Sequence, residues 1–339
     1  MARYRIPWLA WCIISGVACS LVSLPGMAVM QSVGADGIDA YRLQQPPYSL
    51  TGRKIAIGQV EIGRPVQFGL DKAGATNQAV QPYRLFYRDI PAQAADYANT
   101  RIDERVHEHA ANVASIMISR DKTFSGVAPD AVLYAAAVGT EERGEQPEAC
   151  LTTQTVAQQN SGDVRTINLS FGESLEHDPR PHPVLDGNAL LTQCIDWLAR
   201  VENVLPVIAG NEERGGFPIP TDTFNGMVIA SSTRLNGRFS KVDFESLGSE
   251  PMVVLGRDPA MESNVGPRRS VVLVAPGAGL EALSSNGSIA SAPVSGTSFA
   301  APHVAATVAL LQEFGDRSIR QVLAEQGTLE GSHWTLDAR

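Results

Sequence analysis

The 339-residue sequence contains no run of five or more like charges, no internal repeat and no low-complexity tract. Those absences argue against a charged interaction tail, a repeat array and a largely disordered chain. Basic residues are also short: 27 Lys and Arg stand against 36 Asp and Glu, for a formal net charge of −9. That balance disfavours nucleic acid or an anionic membrane surface as a partner. Four cysteines are present, and none has metal-ligand spacing. What the chain does have is 44% hydrophobic residues, enough at this length for a core that needs neither metal nor disulfide to hold it.

The one long apolar run is Ile6 to Leu24, preceded by Arg3 and Arg5 and followed by the small-x-small triplet Gly26-Met27-Ala28. This pattern reads as a signal peptide over residues 1–28, cleaved after Ala28, with the mature protein secreted or periplasmic. The alternative is an uncleaved membrane anchor, because residues 6–24 are long enough to span a bilayer. Cys12 and Cys19 leave with the signal. Cys150 and Cys194 remain, an even count that permits one disulfide in an oxidising compartment; two free buried thiols are the alternative.

Residues 29–47 form a lead-in without periodicity, expected to run extended over the surface. A single domain is expected from residue 48 to 339, with no linker inside it. Strand-like runs at Ile55–Val60, Ala131–Val138, Arg165–Ser170 and Val204–Ala209 alternate with helical patterns at Ala110–Ser119, Thr153–Gln159 and Ala189–Val201. Alternation of this kind predicts an α/β fold, a three-layer α/β/α domain with a mainly parallel sheet. In such sheets active sites lie beyond the carboxyl ends of the strands. Residues 226–258 read as further strands and turns, and Asp258 to Arg269 as an exposed loop.

The most informative segment is Ser295-Gly296-Thr297-Ser298-Phe299-Ala300-Ala301-Pro302-His303-Val304-Ala305-Ala306. Gly296 and its short neighbours allow a tight turn into a helix expected to run to about Phe314. A serine at a helix start has its hydroxyl near unpaired backbone N–H groups and the positive end of the helix dipole. Those groups can stabilise an oxyanion while the hydroxyl attacks. Taken alone, Gly-Thr-Ser would favour a plain helix cap.

The whole segment resembles the nucleophile motif of the subtilisin-like serine proteases (subtilases), with Phe299 where methionine is common. The likeness extends over roughly residues 48–320. His109-Ala110-Ala111-Asn112-Val113-Ala114-Ser115 resembles the family's histidine motif, with Ala110-Ala111 replacing the usual Gly-Thr. It implies that His109, rather than the nearby His107, is the general base. Val207-Ile208-Ala209-Gly210-Asn211-Glu212 is similar to the segment ending in the oxyanion-hole asparagine, here Asn211. Ile167-Asn168-Leu169-Ser170-Phe171-Gly172 is similar to the strand that pairs with substrate, which implies peptide binding at Ser170, Phe171 and Gly172. His303 is expected to be a packing residue.

The acid is the least regular member. Thr51-Gly52 through Glu61-Ile62-Gly63 resembles the first strand of the family, with Glu61 where aspartate is usual; a second register puts Gln59 there instead. The related sedolisin proteases use glutamate in this role. Asp71, Asp89 and Asp96 are substitutes without the surrounding motif. The order acid–His–Asn–Ser sets the chain apart from α/β-hydrolases, whose acid and histidine follow the serine. The resemblance implies a monomeric serine endopeptidase acting on protein or peptide substrates without a cofactor. Calcium is frequent in the family, but no site can be assigned. A catalytically silent, peptide-binding domain is the alternative function.

Overall fold

The computed structural model describes residues 31–65, 79–80, 84–88, 106–138, 146–212, 217–235, 238–241 and 270–325. The segment read as a signal peptide (residues 1–28), Asp71, Asp89, Asp96 and the expected loop at 258–269 lie outside the described residues.

The strands are β1 (Ala56–Glu61), β2 (Arg84–Arg88), β3 (Val132–Val138), β4 (Val164–Leu169), β5 (Leu205–Ala209), β6 (Met227–Leu235), β7 (Arg238–Lys241) and β8 (Val271–Pro276). They form one sheet in the order β2-β3-β1-β4-β5-β6-β7, with β8 also paired to β6. Every pairing is parallel except β6 with β7. All six residues of β1 and all six of β4 are buried, as expected for central parallel strands covered on both faces.

Helices cover each face: α1 (Ala40–Gln44), α2 (Glu108–Ile118), α3 (Gln146–Ala157), α4 (Leu190–Val201) and α5 (Thr297–Glu325). One hydrophobic core joins Ile57, Leu133 and Val207 of the sheet to Val113 and Met117 of α2 and to Ala301, Ala305 and Ala309 of α5. A second joins Val60, Ile167 and Ile208 to Val156 of α3 and to Ile195 and Leu198 of α4. Neighbouring strand residues thus feed opposite cores, the period-two geometry of a strand. Cys150 on α3 and Cys194 on α4 form a disulfide across the second layer.

Two expectations are corrected. Residues 31–44 do not run extended over the surface: they fold into turns and α1, and Ser32, Val33 and Ala40 are buried. The lead-in is held by tertiary contact, which leaves no periodic signal. His303 on α5 donates from Nδ1 to the Phe299 carbonyl at 2.7 Å, so its Nε2 accepts the Ser32 hydroxyl at 2.7 Å. Burial pushes this imidazole down to about 4, which keeps it neutral.

The second correction is the length of α5, which passes Phe314 and Gly315 and ends at Glu325. Its extra turns are anchored to the body. The Glu313 carboxylate accepts the N–H groups of Thr51 and Gly52, both at 2.7 Å. Arg317 pairs with Glu313 and donates to the carbonyls of Tyr48 and Ser49. Several such bonds outweigh the cost of about 1 kcal/mol for one helical glycine.

Candidate active site

Glu61 is the last residue of β1, at the carboxyl edge of the sheet, and is 1% exposed. His109 lies in the first turn of α2, with small, fully buried Ala110 and Ala111 letting that helix settle against the sheet. The two meet: His109 Nδ1 is 3.3 Å from Glu61 Oε2. Burial pulls the His109 imidazole down. The charge of Glu61, its hydrogen bond and the more distant charge of Glu212 outweigh this, so the net shift is upward.

Gln59 precedes Glu61 by two and shares its face of β1. It is buried, and its Nε2 donates to the Ala110 carbonyl at 2.9 Å. Glu61 therefore faces the imidazole, whereas Gln59 supports the backbone of the same helix. His107 is the residue preceding α2, and its N–H donates to the Arg64 carbonyl at 3.0 Å.

Ser298 is the second residue of α5, and its hydroxyl donates to the Ser170 carbonyl at 3.3 Å. The next residue, Phe299, lies with its ring centre 5.2 Å from that of His109. Two contacts fix the turn before Ser298. Thr297 donates its N–H and its hydroxyl to the Glu212 carboxylate, and the hydroxyl also reaches the Gly210 carbonyl at 2.6 Å. Gly296 has φ +146°, and a Cβ there would stand 2.6 Å from Glu212 Oε1. Only glycine fits both the conformation and the space.

Asn211 follows β5 and is buried. Its Oδ1 accepts the Phe217 N–H at 3.1 Å, which fixes the orientation of the amide. Because Gly210 and Glu212 both bind Thr297, the Asn211 turn is tied to the Ser298 turn. Ser170, Phe171 and Gly172 lie just past β4. Beyond them Glu173 pairs with Ile219, at 2.8 and 3.1 Å. A Cβ on Gly172 would lie 2.1 Å from the Phe217 carbonyl oxygen, so glycine is needed for that close passage.

The fold therefore gathers Glu61, His109, Ser298, Asn211 and Ser170–Gly172 at the carboxyl ends of β1, β4 and β5 and the starts of α2 and α5. Glu212, which holds Thr297, and Gln59, which holds the Ala110 carbonyl, have roles that their motifs do not announce; their places beside Asn211 and two residues before Glu61 are the only local signal. Among the described residues, no group of three or more His, Cys, Asp or Glu side chains could hold a metal ion.

No curated protein sequence matches the chain at a significant level. Solved structures do resemble it. The prenylagaramide maturation protease PagA is 18% identical, with a TM-score of 0.53 over 85% of this chain and 82% of that one. A mutant protease domain of PatA is 22% identical, with a TM-score of 0.54 over 82% and 89%. MycP1 without its N-terminal propeptide is 18% identical, with a TM-score of 0.54 over 80% and 82%. At such identities these likenesses concern the fold, which is subtilisin-like. The Subtilase family model matches residues 76–328, a span that contains His109, Asn211 and Ser298 but begins after Glu61. With three-quarters of its length so matched, this chain belongs to the subtilase family, whose fold supports a serine peptidase function.

Proposed function

We propose that the protein is an exported serine endopeptidase that cleaves peptide bonds through an acyl-enzyme on Ser298. The observation that carries this reading is the Glu61–His109 contact beside the turn that presents Ser298. Glu61 holds the imidazole with its proton on Nδ1, which leaves Nε2 as the base. The Ser298 hydroxyl rotates from the Ser170 carbonyl to His109, gives up its proton and attacks the scissile carbonyl. The imidazolium, stabilised by Glu61, then protonates the leaving amine, and water hydrolyses the acyl-enzyme by the reverse route. The peptide lies along Ser170–Gly172 as an added strand.

Asn211 supplies the oxyanion donor in this scheme, because it is buried in the turn that Gly210 and Glu212 tie to the Ser298 turn, with its Oδ1 held by the Phe217 N–H. Asn211→Leu is expected to lower kcat by ~10²–10³ with little change in KM, since the bond forms only in the transition state. Steady-state kinetics on a peptide substrate decide it. An unchanged kcat would reduce Asn211 to a turn residue.

Export is proposed on the apolar segment at residues 6–24 and on the Cys150–Cys194 bridge, which suits an oxidising compartment. Among the described residues no helix is long and apolar enough to cross a membrane. One experiment tests both halves of the function. Material recovered from outside the cytoplasm is treated with a fluorophosphonate and weighed intact. The expected mass begins at Val29, contains the disulfide and carries one probe adduct. An unprocessed N-terminus would make residues 6–24 an anchor, and the absence of an adduct would favour the silent binding domain.

A further inference from the structure

Pro302 lies inside α5 and has no N–H to offer. In an α-helix that donor would serve the carbonyl four residues earlier, which here belongs to Ser298. The carbonyl of the proposed nucleophile is thus left without its helical partner. Another element fills the gap: the Ser170 hydroxyl donates to the Ser298 carbonyl at 2.8 Å. Asn168 Nδ2 donates in turn to the Ser170 hydroxyl at 2.8 Å, which sets that hydroxyl's direction.

Both supporting residues are buried, Asn168 fully and Ser170 to within 3%. Asn168 sits on the central strand β4, in register with Gln59 of β1 and Val207 of β5. Among the described residues Ser170 is its only side-chain partner, and its Oδ1 has none. Burying an amide with one end unpaired is destabilising. A purely structural position in this core would be better filled by an apolar side chain, so the amide is explained by what it does to Ser170.

We propose that Asn168 and the Ser170 hydroxyl are positioning residues that fix the nucleophile through the carbonyl Pro302 leaves open. They tie the backbone of Ser298 to the central strand of the sheet. This deepens the serine-peptidase reading and rests on it. A displacement of the reacting group by about 1 Å can cost ~10²-fold in rate.

The test is a double-mutant cycle between residues 170 and 302. Ser170→Ala is expected to lower kcat and the fluorophosphonate labelling rate together, by ~10–100-fold, with KM changed less than about two-fold. Asn168→Ala, which leaves the hydroxyl in place but undirected, should give a smaller loss of the same kind. Pro302→Ala restores an N–H that can reach the Ser298 carbonyl, so on that background Ser170→Ala should cost less than about three-fold. A merely structural or substrate-contacting Ser170 would show the same loss on both backgrounds.

Equal losses on the two backgrounds, or an unchanged kcat in Ser170→Ala, would overturn the inference. If Ser170→Ala does not fold, Asn168→Ala on the two backgrounds makes the same comparison. An active wild type with no cycle effect rejects this inference alone. A wild type inert toward both probe and peptide rejects the serine-peptidase reading and this inference with it.

Discussion

Ser298→Ala is expected to abolish fluorophosphonate labelling and to reduce peptide hydrolysis by ~10⁴–10⁶ in kcat, the scale for losing a triad nucleophile. Folding should be unaffected. Among the described residues the hydroxyl makes one bond, to the Ser170 carbonyl, while the backbone of the turn is held by Thr297, Glu212 and the Ser170 side chain. KM should stay near the wild-type value, because the proposed substrate strand at Ser170–Gly172 is untouched. A fluorophosphonate adduct on Ser298→Ala would show that another group is nucleophilic, and the assignment would fail.

Glu61→Gln is the second large effect. The amide keeps the length of the side chain but loses its charge, and it can hold the imidazole in the wrong tautomer. A drop in kcat of as much as ~10⁴ is expected, with the fold preserved. A pH profile gives an independent reading. His109 must be neutral to act as a base, and its pKa is raised above the ordinary imidazole value with Glu61 supplying the largest upward contribution. In the wild type, activity therefore falls as the pH drops through that raised pKa. Removing the Glu61 charge should move this acid limb to lower pH in whatever activity is left. An acid limb at the same pH in both proteins would show that Glu61 does not interact with the base. Glu61→Asp should be partly active rather than improved: the family's usual residue is shorter by one methylene, about 1.5 Å, on a strand that already leaves 3.3 Å to the imidazole.

The parallel α/β fold was legible because β1, β3, β4 and β5 are short β-branched or apolar runs separated by helical patterns. The strand order was not, because pairing is non-local; nothing in β7 announces that it turns back antiparallel on β6. The motifs pointed to Ser298, His109 and Asn211 as the proposed nucleophile, base and oxyanion donor, and the fold sets the turns that carry them close to one another. The residue that meets His109 was only half legible. Gln59 and Glu61 point to the same face of β1, and only the placement of α2 sets one under the Ala110 carbonyl and the other under the imidazole. The family model likewise begins after β1. The role proposed for Asn168 depends on a proline more than a hundred residues away, a relation with no local signature.

The Ser32–His303 bond has a consequence for how the chain can be trimmed. A cut after residue 28 leaves the Ser32 hydroxyl on the imidazole of α5. A cut only four residues further on would remove it and strand a buried, neutral ring nitrogen inside the helix that carries Ser298, at a cost of about 1–3 kcal/mol. If the chain is processed as proposed, the tolerance for ragged ends is therefore a few residues wide, and the turn at residues 31–34 acts as a keystone behind the proposed nucleophile.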